Sequence, residues 1–306
     1  MNINRCDICP HNCKVNRIEK TGKCKGTAKP KLALVSLHFF EEPCISGETG
    51  SGTVFFSNCN LKCVYCQNYK ISSEGYGEEV SVERLAEIFL EQQERKANNI
   101  NLVSPTIYAY QIKQAIILAK QKGLKIPIVY NSSGYENVET LKELEGYIDV
   151  YLPDFKYSNN ELGEKYSGVK NYYDICLPAL KEMYRQVGSP KLNEDSIIEK
   201  GMIIRHLVLP NCIENTKKVI RDIKENFPDD VYVSIMAQYF PEGDAKNIPE
   251  LSRKLSKEEY KEIEEYVYEQ NIENGYMQEL GEHEEEYVPL FDLSGVRKEK
   301  KSTYVD

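Results

Sequence analysis

The chain contains the stretch CNLKCVYC at residues 59–66, directly after the apolar run Thr53-Val54-Phe55-Phe56. Its cysteines, Cys59, Cys63 and Cys66, have the spacing C-x3-C-x2-C. Four thiolates complete the ligand shell of a 4Fe-4S cluster, so three thiolates leave one iron open to a small molecule. Structural zinc sites are normally closed by four ligands, and no nearby His or Cys completes this set at the usual spacing. The stretch therefore favours a reactive iron–sulfur cluster over a zinc knuckle or three unrelated buried cysteines.

Strand-like runs alternate with helix-like runs on the carboxy-terminal side of this stretch. The strand candidates are residues 53–56, 101–103, 126–130, 148–152, 202–209 and 231–236. The helix candidates are residues 81–96, 110–122, 138–144, 172–186, 215–227 and 256–270. This alternation predicts a parallel sheet with right-handed crossovers. Because eight units close a full TIM barrel, six units predict an α/β fold of the partial (β/α)6 TIM-like type.

The first residues are rich in cysteine and lack a clear periodicity, so we divide the chain into an amino-terminal segment, 1–49, and a barrel with a carboxy-terminal extension, 50–306. A segment this short needs a staple to hold it folded. Four thiols in the pattern C-x2-C-x3-C-x10-C fit zinc or a second iron–sulfur cluster. The alternatives are free thiols or a disulfide pair, and His11 is a further potential ligand. The four are Cys6, Cys9, Cys13 and Cys24.

Composition restricts the class of protein. The 306 residues carry ten cysteines and a formal net charge of −9. The sequence has neither a long apolar span nor a signal-peptide apolar region, so we expect a cytoplasmic protein without a membrane segment whose cysteines are thiols or metal ligands. The negative charge argues against a broad nucleic-acid surface. Part of it lies in the acidic stretch 282–286, which reads as a solvated face or loop.

The residues from Gly50 to Asn68, with Tyr65 before the third cysteine, resemble the cluster loop of the radical SAM superfamily. More narrowly, they are similar to the pyruvate formate-lyase activating enzyme family and its uncharacterised relatives. This resemblance implies a partial barrel in which the open iron binds S-adenosylmethionine. It also implies a flavodoxin or ferredoxin type of electron donor and a glycyl radical enzyme as a possible partner.

Active groups of such barrels lie at the carboxyl ends of strands. Strand alternation places Asp154 and Lys156 on one face, where their charges must pair or bind a ligand. The resemblance implies that this Asp-x-Lys contacts the S-adenosylmethionine carboxylate and neighbouring groups, whereas the alternative is a structural ion pair. Arg205 matches a family arginine at the cofactor site, and its planar guanidinium suits a carboxylate. His206 lies on the opposite face and reads as a core or interface histidine.

Three further strand ends carry polar residues. Asn131 and Ser133 suit ribose hydroxyls, or belong to a plain strand-to-helix turn. Ser104 and Thr106 stand where the resembled family has a Gly-Gly-Glu, so their hydroxyls replace that contact with the methionyl amino group or simply cap a helix. Gln238 falls near a family histidine that contacts the cofactor.

Three functions follow from these patterns. We prefer a radical SAM enzyme of the glycyl-radical-activating type, which forms a 5'-deoxyadenosyl radical and abstracts hydrogen from its substrate. The same site in a radical SAM enzyme that acts on a small molecule or on RNA is the second hypothesis. A binding protein in which both cysteine groups hold zinc is the third.

Overall fold

The computed structural model describes residues 1–281 and 288–298, so the acidic stretch 282–286 lies outside the described residues. Its strands are β1 (Lys31–His38), β2 (Ser51–Phe56), β3 (Glu78–Glu79), β4 (Ile100–Val103), β5 (Ile128–Ser132), β6 (Val150–Pro153), β7 (Lys191–Leu192), β8 (Ile198–Leu207), β9 (Tyr232–Met236) and β10 (Gly275–Met277). Its helices are α1 (Pro43–Ser46), α2 (Tyr69–Ser72), α3 (Val82–Glu94), α4 (Ala109–Gln121), α5 (Val138–Leu144), α6 (Asn160–Ser167), α7 (Tyr172–Val187), α8 (Ile213–Asn226) and α9 (Lys257–Glu269).

The predicted parallel sheet is confirmed. Strands β2, β4, β5, β6, β8 and β9 pair side by side in that order, and each pair is parallel. The short strands β2, β4, β5 and β6 are buried along their whole length, which explains their continuous apolar runs. The carboxyl ends of these strands therefore lie at one edge of the sheet, where the sequence predicts the active groups.

Additional strands flank this parallel core. Strand β1 pairs antiparallel with β2, and β10 adds a parallel strand beside β9 at the opposite edge. The connection between α7 and β8 contains β7, which pairs antiparallel with β8. Because β1 lies before residue 50 and pairs with β2, a division between residues 49 and 50 cuts through a bonded strand pair; the division itself stays a prediction.

The helices that the periodicity predicts are present within two residues of their predicted ends, and local capping explains where two of them begin. Ser81 accepts a hydrogen bond from the Arg84 amide at the start of α3. Ser256 and Glu259 form a capping box at the start of α9. Helix α6 was not predicted, because its sequence NELGEKYS is polar and short and contains a glycine.

The concave side of the sheet is filled by the connection between β1 and β2. Within this connection, Cys44 and Ile45 of α1 pack against Val129, Val150 and Ile203 from three parallel strands. The neighbouring residues on these strands face the other way and pack against the helices. Helix α1 therefore closes one end of the half-barrel, and free space is left toward the carboxyl ends of the strands.

His206 shows how strictly the two faces are separated. It is fully buried on the helix side, where Nδ1 lies 2.7 Å from the Phe155 carbonyl oxygen and Nε2 lies 2.9 Å from Thr216 Oγ1. The prediction of a core histidine with satisfied hydrogen bonds is thus confirmed. Among the described helices, none has the length and apolar character needed to cross a membrane.

Candidate active site

The three-cysteine loop follows β2 and is held by the end of α6. The amides of Lys62 and Val64 donate hydrogen bonds to the carbonyl oxygens of Ser167 and Tyr166, at 3.1 and 2.9 Å. Asn58, at the entry to the loop, has a φ of 67°. This left-handed conformation turns the chain sharply from the strand into the loop. The loop is therefore fixed by contacts that come from a helix about 100 residues away in sequence.

Each of the three thiols has a polar group beside it. The Sγ of Cys63 lies 3.0 Å from Ser167 Oγ, and the Sγ of Cys66 lies 3.2 Å from Ser72 Oγ. The Leu61 amide donates to Cys59 Sγ over 3.4 Å. Burial raises the pKa of Cys59 to about 12 and that of Cys63 to about 11. Iron binds the thiolate form, so loading a cluster here releases protons.

Asp154, Lys156 and Arg205 form one ion-paired group opposite these thiols. Lys156 Nζ lies 2.6 Å from Asp154 Oδ2, and Arg205 Nε lies 3.1 Å from Asp154 Oδ1. Burial opposes the ionisation of Asp154, but the charges of Lys156 and Arg205 outweigh it and hold the pKa of this carboxyl below its usual value. The shared face that strand alternation predicts is therefore present, and it carries an ion pair.

Glu41 also belongs to this group, although it was not among the residues predicted for the site. It lies just before α1, and its Oε2 lies 3.0 Å from Arg205 Nη1. Its Oε1 accepts hydrogen bonds from the amide groups of Asn101 and Asn131, at 3.0 and 3.2 Å. Asn131 in turn accepts a 2.6 Å bond from Arg205 Nη2. The only sequence signal is a carboxylate directly after an apolar strand, and this does not reveal its distant partners.

The other predicted residues divide into two groups. Ser104, Ser133 and Gln238 line the same cavity as the cysteines. Ser104 has a φ of 59°, and Ser133 Oγ is buried without a hydrogen-bond partner among the described residues. Thr106 is buried outside the cavity lining, and its hydroxyl donates to Glu136. The structure therefore does not bring Thr106 together with the other predicted cofactor contacts, and its role stays a prediction.

The residues that line the cavity suit a cluster together with an organic cofactor. It contains about 1170 Å³ of empty space, part of it open to solvent, and the three thiols share it with the ion-paired group. In residues 1–281 and 288–298, no three His, Cys, Asp or Glu side chains converge on one point as ligands of a single metal ion. A 4Fe-4S cluster does not need such convergence, since each of its cysteines ligates a different iron. The orphaned hydroxyl of Ser133 offers a further contact to a ligand.

The amino-terminal cysteines lie together in a segment that packs against the barrel. Cys6, Cys9 and Cys24 are buried, and Cys13 is half-buried. A Cβ atom at Gly22 would lie only 2.9 Å from Cys13 Sγ, so the missing side chain leaves room for this thiol. The four thiols are not arranged around one point. Holding a single zinc ion would therefore require their side chains to turn toward a common centre, because zinc binds each sulfur at about 2.3 Å.

This segment touches the cluster loop directly. His11 Nε2 lies 2.7 Å from the carbonyl oxygen of Asn60, the residue after the first loop cysteine. The same asparagine donates from its side chain to the Tyr135 carbonyl over 2.7 Å, and the rings of His11 and Tyr135 make an edge contact at 5.8 Å. The two cysteine groups are thus joined by a short chain of contacts.

Comparison with known proteins identifies the family. Residues 53–191 match the family model of the radical SAM superfamily, and this match includes the three-cysteine loop. An uncharacterised protein of Methanocaldococcus jannaschii is 34% identical over 278 residues, which cover 88% of this chain and 75% of the relative. The chain belongs to the radical SAM superfamily. Membership makes this radical SAM protein an enzyme and implies a 4Fe-4S cluster and S-adenosylmethionine as its cofactors.

The fold of this radical SAM protein also resembles a solved structure. Streptococcus suis SuiB bound to the precursor peptide SuiA matches with a TM-score of 0.50 and 15% sequence identity. The match covers 75% of this chain and 48% of SuiB, so the chain spans about half the length of that protein. At this level of identity, the likeness concerns the fold alone. Glu41, Arg205 and Gln238 of the candidate site lie outside the segment that matches the family model.

Proposed function

We propose that Cys59, Cys63 and Cys66 hold a 4Fe-4S cluster with one open iron, and that the enzyme reductively cleaves S-adenosylmethionine bound beside it. The observation that carries this proposal is the single cavity shared by the three thiols and the ion-paired group of Asp154 and Lys156. When both cofactors are bound, they supply a 5'-deoxyadenosyl radical that abstracts hydrogen from the substrate. The protein's own residues bind and orient the two cofactors and shield the radical from side reactions.

In this proposal the ion-paired group binds the amino-acid part of S-adenosylmethionine. Lys156 and Arg205 offer cations for its carboxylate, and Asp154 offers an anion for its ammonium group. Their side chains are 12 to 15% exposed, so these charges act in a partly desolvated site. Ser133 has an unused hydroxyl that suits a ribose hydroxyl, with Asn131 beside it. Ser104 and Gln238 line the rest of the cavity and are the remaining proposed cofactor contacts.

The cavity wall supports a choice of substrate class. Phe40, Phe55, Met236 and Val288 also line the cavity, and Phe40 is half-exposed. The cations that line the cavity, Lys156 and Arg205, both have carboxylate partners. Such a wall suits a neutral main-chain segment better than a phosphate backbone, whose binding relies on available cations. We therefore propose a glycine loop of a glycyl radical enzyme as the substrate, ahead of a small molecule or RNA.

Three accompanying proposals come from the sequence. A flavodoxin or ferredoxin type of protein supplies the electron, and the protein works in the cytoplasm. The amino-terminal quartet holds zinc or a second iron–sulfur cluster, and two observations support this. Three of its thiols, Cys6, Cys9 and Cys24, are buried together, and Gly22 leaves room beside the fourth. Such a metal would stiffen the segment whose His11 contacts the cluster loop.

Deuterium transfer tests the proposed substrate. The anaerobically reconstituted enzyme is given S-adenosylmethionine, a reduced flavodoxin and a peptide of the glycyl-radical-loop type that is deuterated at its glycine. We expect deuterium in the 5'-deoxyadenosine, detected by mass spectrometry, and none from the same peptide with deuterium at a neighbouring residue. Formation of 5'-deoxyadenosine without deuterium from either peptide would overturn the protein substrate and leave the small-molecule alternative.

A further inference from the structure

A chain of buried hydroxyl groups runs from the cluster loop into the core. Ser167 Oγ lies 3.0 Å from Cys63 Sγ, and Tyr157 Oη lies 2.7 Å from Ser167 Oγ. Tyr65 Oη lies 2.7 Å from Tyr157 Oη. Ser167 and Tyr157 are fully buried, and Tyr65 is 5% exposed. Four polar groups are thus linked in a row, with the sulfur at one end.

The direction of every bond in this row is fixed once Cys63 ligates iron. A thiolate has no proton and can only accept a hydrogen bond. Ser167 must then donate to Cys63, so that it accepts from Tyr157, and Tyr157 in turn accepts from Tyr65. All three hydroxyl dipoles point toward the sulfur. Hydrogen bonds aligned in a chain strengthen one another, and the effect is larger in a buried, low-dielectric site.

We propose that Ser167, Tyr157 and Tyr65 are positioning residues that set the reduction potential of the cluster through Cys63. This inference rests on the proposed function, since it requires a cluster on the cysteine loop. One-electron reduction adds negative charge that spreads onto the thiolates, and donors aimed at a thiolate stabilise the reduced state. The row of hydroxyl groups therefore raises the reduction potential of the cluster, which makes the cluster easier to reduce by an external donor.

The placement of Ser167 supports a role beyond packing. It is the last residue of α6, whose final carbonyls hold the cluster loop through the amides of Lys62 and Val64. The same residue thus holds the loop with its main chain and contacts the sulfur of Cys63 with its side chain. Replacing Ser167 by alanine removes only the hydroxyl and leaves the main-chain bonds in place. The two functions are therefore separable by substitution.

A redox titration monitored by electron paramagnetic resonance tests the inference on the reconstituted full chain without S-adenosylmethionine. We expect Ser167→Ala to lower the ratio of reduced to oxidised cluster about tenfold at a fixed potential, which is a 59 mV shift for a one-electron couple. Tyr157→Phe shifts the potential less in the same direction, and Tyr65→Phe shifts it least. Tyr151→Phe is the matched control, because this buried tyrosine bonds Gln186 on the helix side of the sheet and leaves the potential unchanged.

The outcomes separate this inference from the proposed function. A wild-type protein without a reduced 4Fe-4S signal after reconstitution overturns both. A normal signal whose potential is the same in wild type and Ser167→Ala, or is raised by the substitution, overturns the hydroxyl chain alone. If Ser167→Ala binds no cluster, the potential of Tyr157→Phe is the deciding measurement, because this variant keeps the hydroxyl beside Cys63. An unshifted potential in Tyr157→Phe also overturns the inference. Iron and sulfide contents are measured for each variant.

Discussion

Arg205 Nη1 lies 3.0 Å from Glu41 Oε2, although the two residues are 164 positions apart in the sequence. This pair joins the connection between β1 and β2 to β8, the fifth strand of the parallel core. Arg205 also bonds Asp154, so one guanidinium is shared between the connection from β1 to β2 and the proposed cofactor site. The connection between β1 and β2 therefore orients a site residue through a partly buried charge pair.

Replacing Glu41 by glutamine is expected to destabilise the protein. The substitution removes a charge from a bond to the partly buried Arg205 guanidinium, and hydrogen bonds to charged groups contribute about 2 kcal/mol. Urea unfolding of the apo protein under anaerobic conditions measures the free energy of unfolding. Glu264→Gln on the exposed face of α9 is the control, and we expect it to change the free energy by less than about 0.5 kcal/mol. Equal stability of the two variants would remove the role given to Glu41.

Asp154→Asn is expected to weaken the binding of S-adenosylmethionine about tenfold, which corresponds to about 1.4 kcal/mol. The substitution removes the anion proposed for the ligand ammonium and leaves Lys156 without its ion-pair partner. Equilibrium dialysis with labelled S-adenosylmethionine measures the Kd of the reconstituted protein. Asp222→Asn on α8, also buried but outside the cavity, should bind as the wild type does. An unchanged Kd for Asp154→Asn would assign this residue to structure alone.

Glu136 should make the stability depend on pH. Burial raises its pKa to about 7, against about 4.3 for an ordinary glutamate. The folded protein thus keeps a proton that the unfolded chain releases. The contribution of this group to the free energy of unfolding is complete below about pH 4 and is lost as the pH rises to about 7. The loss amounts to about 4 kcal/mol.

Unfolding by urea at a series of pH values measures this effect. We expect Glu136→Gln to abolish the decline attributed to this group and to be more stable relative to the wild type at pH 8 than at pH 5. Glu264→Gln should keep the wild-type slope. Parallel profiles for Glu136→Gln and the wild type would mean that Glu136 has an ordinary pKa in the folded protein.

The amino-terminal quartet should hold its metal independently of the loop cysteines. We expect Cys9→Ser to lose the quartet metal while the loop cluster, seen by its paramagnetic signal, is retained. Cys176→Ser, which changes a buried cysteine on α7, is the control and should keep both. Elemental analysis for zinc, iron and sulfide after anaerobic isolation gives the result. Identical metal contents in Cys9→Ser and the wild type would show that the quartet holds free thiols.

The sequence predicted those parts of the molecule that local patterns encode. The spacing of Cys59, Cys63 and Cys66 and the alternation around Asp154 are properties of a few adjacent residues, and the parallel strands follow from continuous apolar runs. Glu41 and α6 were missed for a common reason. Their importance comes from partners far away in the chain, and no local periodicity encodes such contacts. The position of Thr106 at a strand end likewise does not reveal that its hydroxyl donates to Glu136.

The yield of 5'-deoxyadenosine tests the central claim most directly. The reconstituted enzyme is reduced anaerobically with S-adenosylmethionine, and the product is quantified by chromatography and mass spectrometry. We expect the wild type and the control Cys212→Ala to form 5'-deoxyadenosine, because Cys212 lies outside the cavity lining. In Cys63→Ala, which removes a cofactor ligand, we expect the yield to fall at least about 100-fold. Equal yields from Cys63→Ala and the wild type, or no product from the wild type, would contradict the account.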